Sequence, residues 1–292
     1  MHNFAFYLGG GLGDLIHHYT EGTLCRVLPL LKRQYPDCSI LAYVYTNNDG
    51  LRLLNHSPYI NRVYLLDKPQ DESWRPTFGD YTWLPEFLAK CVVEDVSNTV
   101  LALPVGNTYI ESVLPLVKSK QSVLIHPFTS NIAKICVEGS WWVNLIEKFL
   151  GKGITVHLVG SGSDWDNTSL ISDLRDYVSE NKNPLLLNHV NNVAFYEKLA
   201  LLNIVDFSVV VDSCWMNAAQ HFRTPSLLLQ NSIFYKFYFE RLESVSYDAT
   251  WFPCIRNKLH PNYPDFFDVM WCDKYQALPD INTTFERIQL RL

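Results

Sequence analysis

The chain has 292 residues, with 24 Lys plus Arg against 30 Asp plus Glu and a formal charge of −6. At about 100–200 residues per domain this length predicts two domains, and 48% hydrophobic residues with only 18% charged exclude a disordered chain. The acidic balance lacks the cation excess that drives counterion release, so DNA and RNA are disfavoured partners.

Asn3 to Leu8 is a short apolar run, a glycine cluster follows, and apolar residues recur at helical spacing from Leu15 to about Arg33. That order predicts strand, loop and helix. No basic or long apolar leader precedes it, so the N-terminus does not read as a signal peptide. No later run approaches the roughly 20 apolar residues that span a bilayer, which predicts a cytoplasmic protein, at most peripheral to the inner face of a membrane. Ser39 to Tyr45 and Val63 to Leu66 are the next β-rich runs, Asp67 to Tyr81 reads as a surface loop, and Val100 to Leu103 is a candidate to close a first sheet.

The same grammar then restarts. Ser122 to His126 predicts a strand, Trp141 to Leu150 an amphipathic helix, Gly153 to Val159 a strand, Thr168 to Glu180 and Val193 to Leu202 helices. Phe207 to Val211 predicts a strand, Trp215 to Phe222 a helix, and Ser226 to Leu229 a last strand, while the end of the aromatic-rich tail reads as helical. Strands alternating with helices imply parallel sheets with crossover helices. We therefore expect two α/β domains, residues 1–118 and 119–292, with the last helix able to pack back on the first. The seven cysteines are scattered without a CxxC pair, which favours reduced thiols.

Four segments carry candidate chemistry. GGGLGD, Gly9 to Asp14, joins a strand to a helix, where glycines permit a tight turn and close approach to a ligand. It is not a GxGxxG dinucleotide fingerprint, because Asp14 stands at the third glycine position. A carboxylate there suits a general base for a hydroxyl nucleophile or simply a helix start. In HPFTSNIAK, Thr129, Ser130 and Lys134 could hold a diphosphate, although a solvated loop would read the same. Asp212 and Ser213 end a buried strand before a helix, where α/β sheets bind ligands and where helix caps also occur. GSGSD, Gly160 to Asp164, is a further turn at the same predicted edge.

In this order the four segments resemble glycosyltransferase family 9, the group of the ADP-heptose lipopolysaccharide heptosyltransferases. LGGGLGDLI matches the family's Gly-x-Gly-Asp turn, IHPFTSNIAKICVEGSWWVNLIEKF its His-Pro-x-x-Thr/Ser stretch with Lys and a Trp-bearing helix, VHLVGSGSDWD its Gly-rich turn, and DSCWMNAAQHF its Asp-Ser/Thr-Gly-x-x-His turn. The resemblance implies a GT-B type fold, two Rossmann-like parallel-sheet domains facing a central cleft. It implies an inverting, metal-independent transfer of a sugar from a nucleoside diphosphate to a glycan or other hydroxyl acceptor, with no cofactor. Asp14 inherits the catalytic base and Lys134 the stabilisation of the leaving diphosphate. Thr129, Ser130, Gly160, Asp164, Asp212, Ser213, Cys214 and Asn217 fall on the donor side, and Gly11, Gly13, His17 and His18 on the acceptor side. The two histidines read more readily as packing or surface residues.

Two departures stand out. Cys214 replaces the family's Gly and narrows the space for donor phosphates, while Asn217 replaces a His and cannot carry an imidazolium charge. A donor or binding pose different from that of ADP-heptose is expected. Two other readings stay open: a glycosyltransferase acting on modified bases of DNA, which needs a local basic groove, and a nucleotide-sugar-binding module without turnover. Trp141, Trp142 and Trp215 read as core more readily than as base-stacking residues, and Asp268 and Asp273 as surface residues.

Overall fold

The computed structural model describes residues 2–9, 12–13, 15–16, 23–71, 74–76, 81–84, 103–231, 267–272 and 278–292. They fall into two units, divided between Pro104 and Val105.

The first unit holds a four-stranded sheet in the order β3-β2-β1-β4, all parallel, from β1 (Asn3–Gly9), β2 (Ser39–Tyr45), β3 (Arg62–Leu65) and β4 (Thr82–Trp83). Helices α1 (Thr23–Gln34) and α2 (Asn48–Asn55) connect the first three strands. Period-two burial along β2 puts Ile40, Ala42 and Val44 in the core, and leaves Leu41 and Tyr43 half-buried on the other face. There Tyr43 stacks on Tyr64 and takes the edge of Trp74. Trp74 belongs to the stretch read as a surface loop, so that stretch covers part of the sheet; the backbone N–H of Gln70 also donates to the Tyr7 hydroxyl. Among the described residues the strand beside β1 at this edge is β4, two residues long and without apolar periodicity of its own. The candidate run Val100 to Leu103 lies, except for Leu103, outside the described residues.

The second unit opens with α3 (Asn107–Val113) and holds a six-stranded parallel sheet in the order β10-β9-β8-β5-β6-β7. Its strands are β5 (Ser122–His126), β6 (Thr155–Leu158), β7 (Leu186–Asn188), β8 (Phe207–Val211), β9 (Ser226–Asn231) and β10 (Phe267–Cys272). β5, β6, β8 and β9 are buried along their whole length, as expected of parallel strands covered on both faces. One face packs under α4 (Gly139–Gly151) and α9 (Ile281–Gln289), where Trp142, Phe149, Ile146 and Phe285 meet Val123, Ile125, Val209 and Leu227. Trp141 and Trp142 are core, and the Trp141 Nε1–H donates to the Pro279 carbonyl. The short α5 (Gly162–Asn167) and then α6 (Ser172–Glu180) follow β6, α7 (Phe195–Ile204) follows β7, and α8 (Cys214–Phe222) follows β8.

The chain divides before residue 118, at Pro104 and Val105, with α3 packed on α7 and Tyr109 stacked on Tyr196, a contact that local periodicity does not reveal. Within the second unit Phe285 of the last helix packs on Phe149, and the Leu292 carbonyl accepts from Gln121 Nε2. One expectation changes. Asp268 is buried on β10 and held by the Arg287 guanidinium in a two-point ion pair, not exposed. Asp273 lies outside the described residues.

Candidate functional site

In the six-stranded sheet the chain runs from β5 outward through β6 to β7, then returns to β8 on the other side and continues to β9 and β10. The order reverses between β5 and β8. At such a switch point the loops leaving the carboxyl ends diverge and open a crevice for ligands. The segments leaving β5 and β8 are the His126 to Lys134 stretch and the Asp212–Ser213 turn.

Lys134 ends a single 3-10 turn, Ile132–Lys134, and its Nζ lies 3.1 Å from Asp212 Oδ2. The Lys134 side chain is 21% exposed and that of Asp212 2%. A nearly buried carboxylate needs such a partner, and the pair puts a cation at the rim of the sheet edge. Before the turn, Phe128 and Thr129 are buried while Ser130 is exposed.

Ser213 caps α8, its Oγ accepting from the Trp215 backbone N–H at 3.3 Å, and shares a hydrogen bond of 3.1 Å with His126 Nδ1. Burial, reinforced by the Lys198 charge, pushes the His126 imidazole down to about 3. It is therefore neutral at physiological pH and adds no charge to the edge. Cys214, half-buried and in no disulfide, lies in the first turn of α8, and Asn217 is buried one turn further on. Trp215 is buried against His126 and Phe195.

At the end of β6, Gly160 has φ +155°, and a Cβ there would meet the Phe128 ring at 2.1 Å. Only glycine fits, on both counts. Ser161 accepts from the Asp164 backbone N–H at 3.2 Å, so half-buried Asp164 sits in the first turn of α5. The sequence offered no sign of the group that holds this turn: the buried Lys198 of α7 donates from Nζ to the carbonyls of Gly160 (2.8 Å) and Val190 (2.7 Å).

Two more residues missed by sequence reasoning end β9. Gln230 is fully buried, and among the described residues neither its amide nitrogen nor its amide oxygen has a partner. The pairing of Val211 with Leu229 sets Gln230 level with Asp212. Asn231 donates from Nδ2 to the Ala133 carbonyl at 2.9 Å. Polar residues at a strand end read as turn formers, which hid both.

In the first unit β1 ends at Gly9, and Leu12, Gly13, Leu15 and Ile16 are helical, with Leu15 and Ile16 fully buried and Gly13 half-buried. The strand, glycine and helix order is therefore present. Gly11, Asp14, His17 and His18 lie outside the described residues. Among the described residues no cluster of His, Cys, Asp or Glu could hold a metal ion, and no helix is long and apolar enough to cross a membrane.

No family model matches the chain, and no curated protein matches it by sequence. Its fold matches solved structures. The glycosyl transferase family 9 structure from Veillonella parvula DSM 2008 aligns at 12% identity over 92% of this chain and 86% of that one, with a TM-score of 0.61. The E. coli ADP-heptose lps heptosyltransferase II aligns at 12% identity over 99% and 98%, with a TM-score of 0.63. The E. coli heptosyltransferase WaaC with ADP aligns at 11% over 99% and 97%, with a TM-score of 0.57. The chain thus has the two-unit α/β fold of GT-B type that these heptosyltransferases share, as the sequence resemblance implied.

Proposed function

We propose that the chain is a glycosyltransferase that moves a sugar from a nucleoside diphosphate to a hydroxyl acceptor with inversion at the anomeric carbon, a glycan acceptor being favoured. The observation that carries this reading is the Lys134–Asp212 pair at the switch point of the second sheet. It supplies a cation for a diphosphate where α/β sheets take their ligands. The solved structures of the same fold that are named heptosyltransferases, one of them with ADP, support the same donor chemistry.

In the reaction the acceptor oxygen attacks the anomeric carbon as the bond to the diphosphate oxygen breaks. Asp14 takes the acceptor's proton, a role assigned from its sequence motif alone. Lys134 and the N-terminal N–H groups of α8 meet the charge growing on the departing diphosphate, an electrostatic contribution that commonly dominates such steps. Thr129 and Ser130 add hydroxyl contacts, Gly160 and Asp164 shape the neighbouring turn, and Cys214 and Asn217 set the donor pose. Gly11, Gly13, His17 and His18 would bind the acceptor.

Calorimetric titration with ADP, UDP, GDP and CMP, followed by transfer assays with the matching nucleotide sugars, tests the proposal. One nucleotide should bind and its sugar should turn over, with Asp14→Ala abolishing transfer while leaving nucleotide affinity nearly intact. Binding without any transfer or donor hydrolysis would favour the non-catalytic module, and no binding to any of them would reject the reading.

A further inference from the structure

The turn that carries Lys134 is too short to hold its own shape, because a single 3-10 turn closes only one or two backbone hydrogen bonds of poor geometry. Two asparagines hold it. Asn131 acts locally, its Oδ1 accepting from the Ala133 backbone N–H at 3.1 Å. Asn231 acts from the far end of β9: its Nδ2 donates to the Ala133 carbonyl at 2.9 Å and, more weakly, to the Ile135 carbonyl at 3.5 Å. Those carbonyls belong to the residues on either side of Lys134. Asn231 is 4% exposed and pairs with Cys272 of β10, and the β9 strand that it ends is held in the sheet between β8 and β10. The amide is thus a rigid post, and the Lys134 turn is fastened to it.

We infer that Asn231 is a positioning residue for Lys134: it fixes the backbone on both sides of the lysine, so that the ammonium stands at the Asp212 edge before any ligand arrives. The inference rests on the proposed role of Lys134 toward a diphosphate. A lysine stem loses rotamer entropy when it is immobilised. Anchoring its backbone in advance leaves less ordering for the ligand to supply, which raises affinity without any new contact. The Asn231 amide bonds the backbone on both sides of Lys134, so a positioning role requires its effect on diphosphate binding to pass through Lys134.

That last statement is the test. Four proteins, wild type, Asn231→Leu, Lys134→Ala and the double variant, are titrated with the nucleoside diphosphate that the wild type binds and with its parent nucleoside. Leucine has nearly the shape of asparagine and cannot donate. Asn231→Leu should weaken diphosphate binding at least tenfold and leave nucleoside binding unchanged. In the Lys134→Ala background the same substitution should add almost nothing, since two residues acting through one contact are not additive. Additive losses, or equal losses for nucleoside and diphosphate, would reduce Asn231 to general support and overturn the inference. If Asn231→Leu fails to fold, Asn231→Ala and the exposed Asn131→Ala take its place under the same additivity criterion. A Lys134→Ala protein that binds diphosphate as the wild type does would instead remove the proposed role of Lys134, and Asn231's with it. A normal Asn231→Leu beside an impaired Lys134→Ala would remove only the positioning role.

Discussion

Lys134 Nζ and Asp212 Oδ2 stand 3.1 Å apart across the one place in the second sheet where the strand order reverses. The cation comes from the segment leaving β5 and the anion from the segment leaving β8, so the pair bridges the two halves of the sheet at its carboxyl edge. Asp212 is 2% exposed and Lys134 21%, so the carboxylate is the more deeply buried of the two.

Lys134→Ala should therefore destabilise the fold by about 3 kcal/mol, the cost of removing the cation beside a nearly buried carboxylate, as read from urea unfolding. The double variant Lys134→Met, Asp212→Leu removes both charges and should recover most of that stability, since an apolar replacement of a buried pair is often neutral. Diphosphate affinity should stay low in both. Recovery of binding along with stability would show that the pair serves folding alone.

Gly160→Ala should cost stability twice over. The φ of +155° is strained for any side chain, and the Phe128 ring occupies the place of the new methyl, so a loss on the order of 1–3 kcal/mol is expected. Phe128→Leu in addition makes room but cannot relieve the backbone, so the double variant should remain below the Phe128→Leu single variant in differential scanning calorimetry. Equal melting temperatures for these two would mean that the turn adopts another conformation.

Stability should fall on mild acidification. Burial pushes His126 and His157 down to about 3 and His189 and His221 to about 4, while the unfolded chain titrates near 6.5. Between those values the unfolded state binds more protons than the folded one, so stability rises with pH. The contribution is fully present above about pH 6.5 and is lost as pH falls toward the folded values, by up to about 1.4 kcal/mol per pH unit for each imidazole. Melting temperatures measured from pH 7.5 down to 4.5 should be flat and then fall. His189→Asn should flatten the descent, and Lys198→Met, which removes a charge acting on both His126 and His189, should raise their titration midpoints by NMR. A midpoint for His189 near 6.5 in the wild type would overturn this account.

Much of this protein was legible in its residues. The buried runs Ser122 to His126 and Phe207 to Val211, each followed by polar residues and a helix, announced parallel strands, because an apolar run bounded by turn formers has few other ways to be satisfied. Gly160 and the residues Lys134, Asp212 and Ser213 were marked by the same local logic. What only the folded chain decided was which of these meet. The Lys134–Asp212 pair, the Asn231 post, the Lys198 tie to Gly160 and the Arg287–Asp268 pair all join residues distant in sequence. So does the packing of α3 on α7, after the division at Pro104 and Val105. Local pattern reports what a side chain does to its own backbone and to its near neighbours on one face. Strand order and register choose its distant partners, and those are set by the burial of the whole sheet.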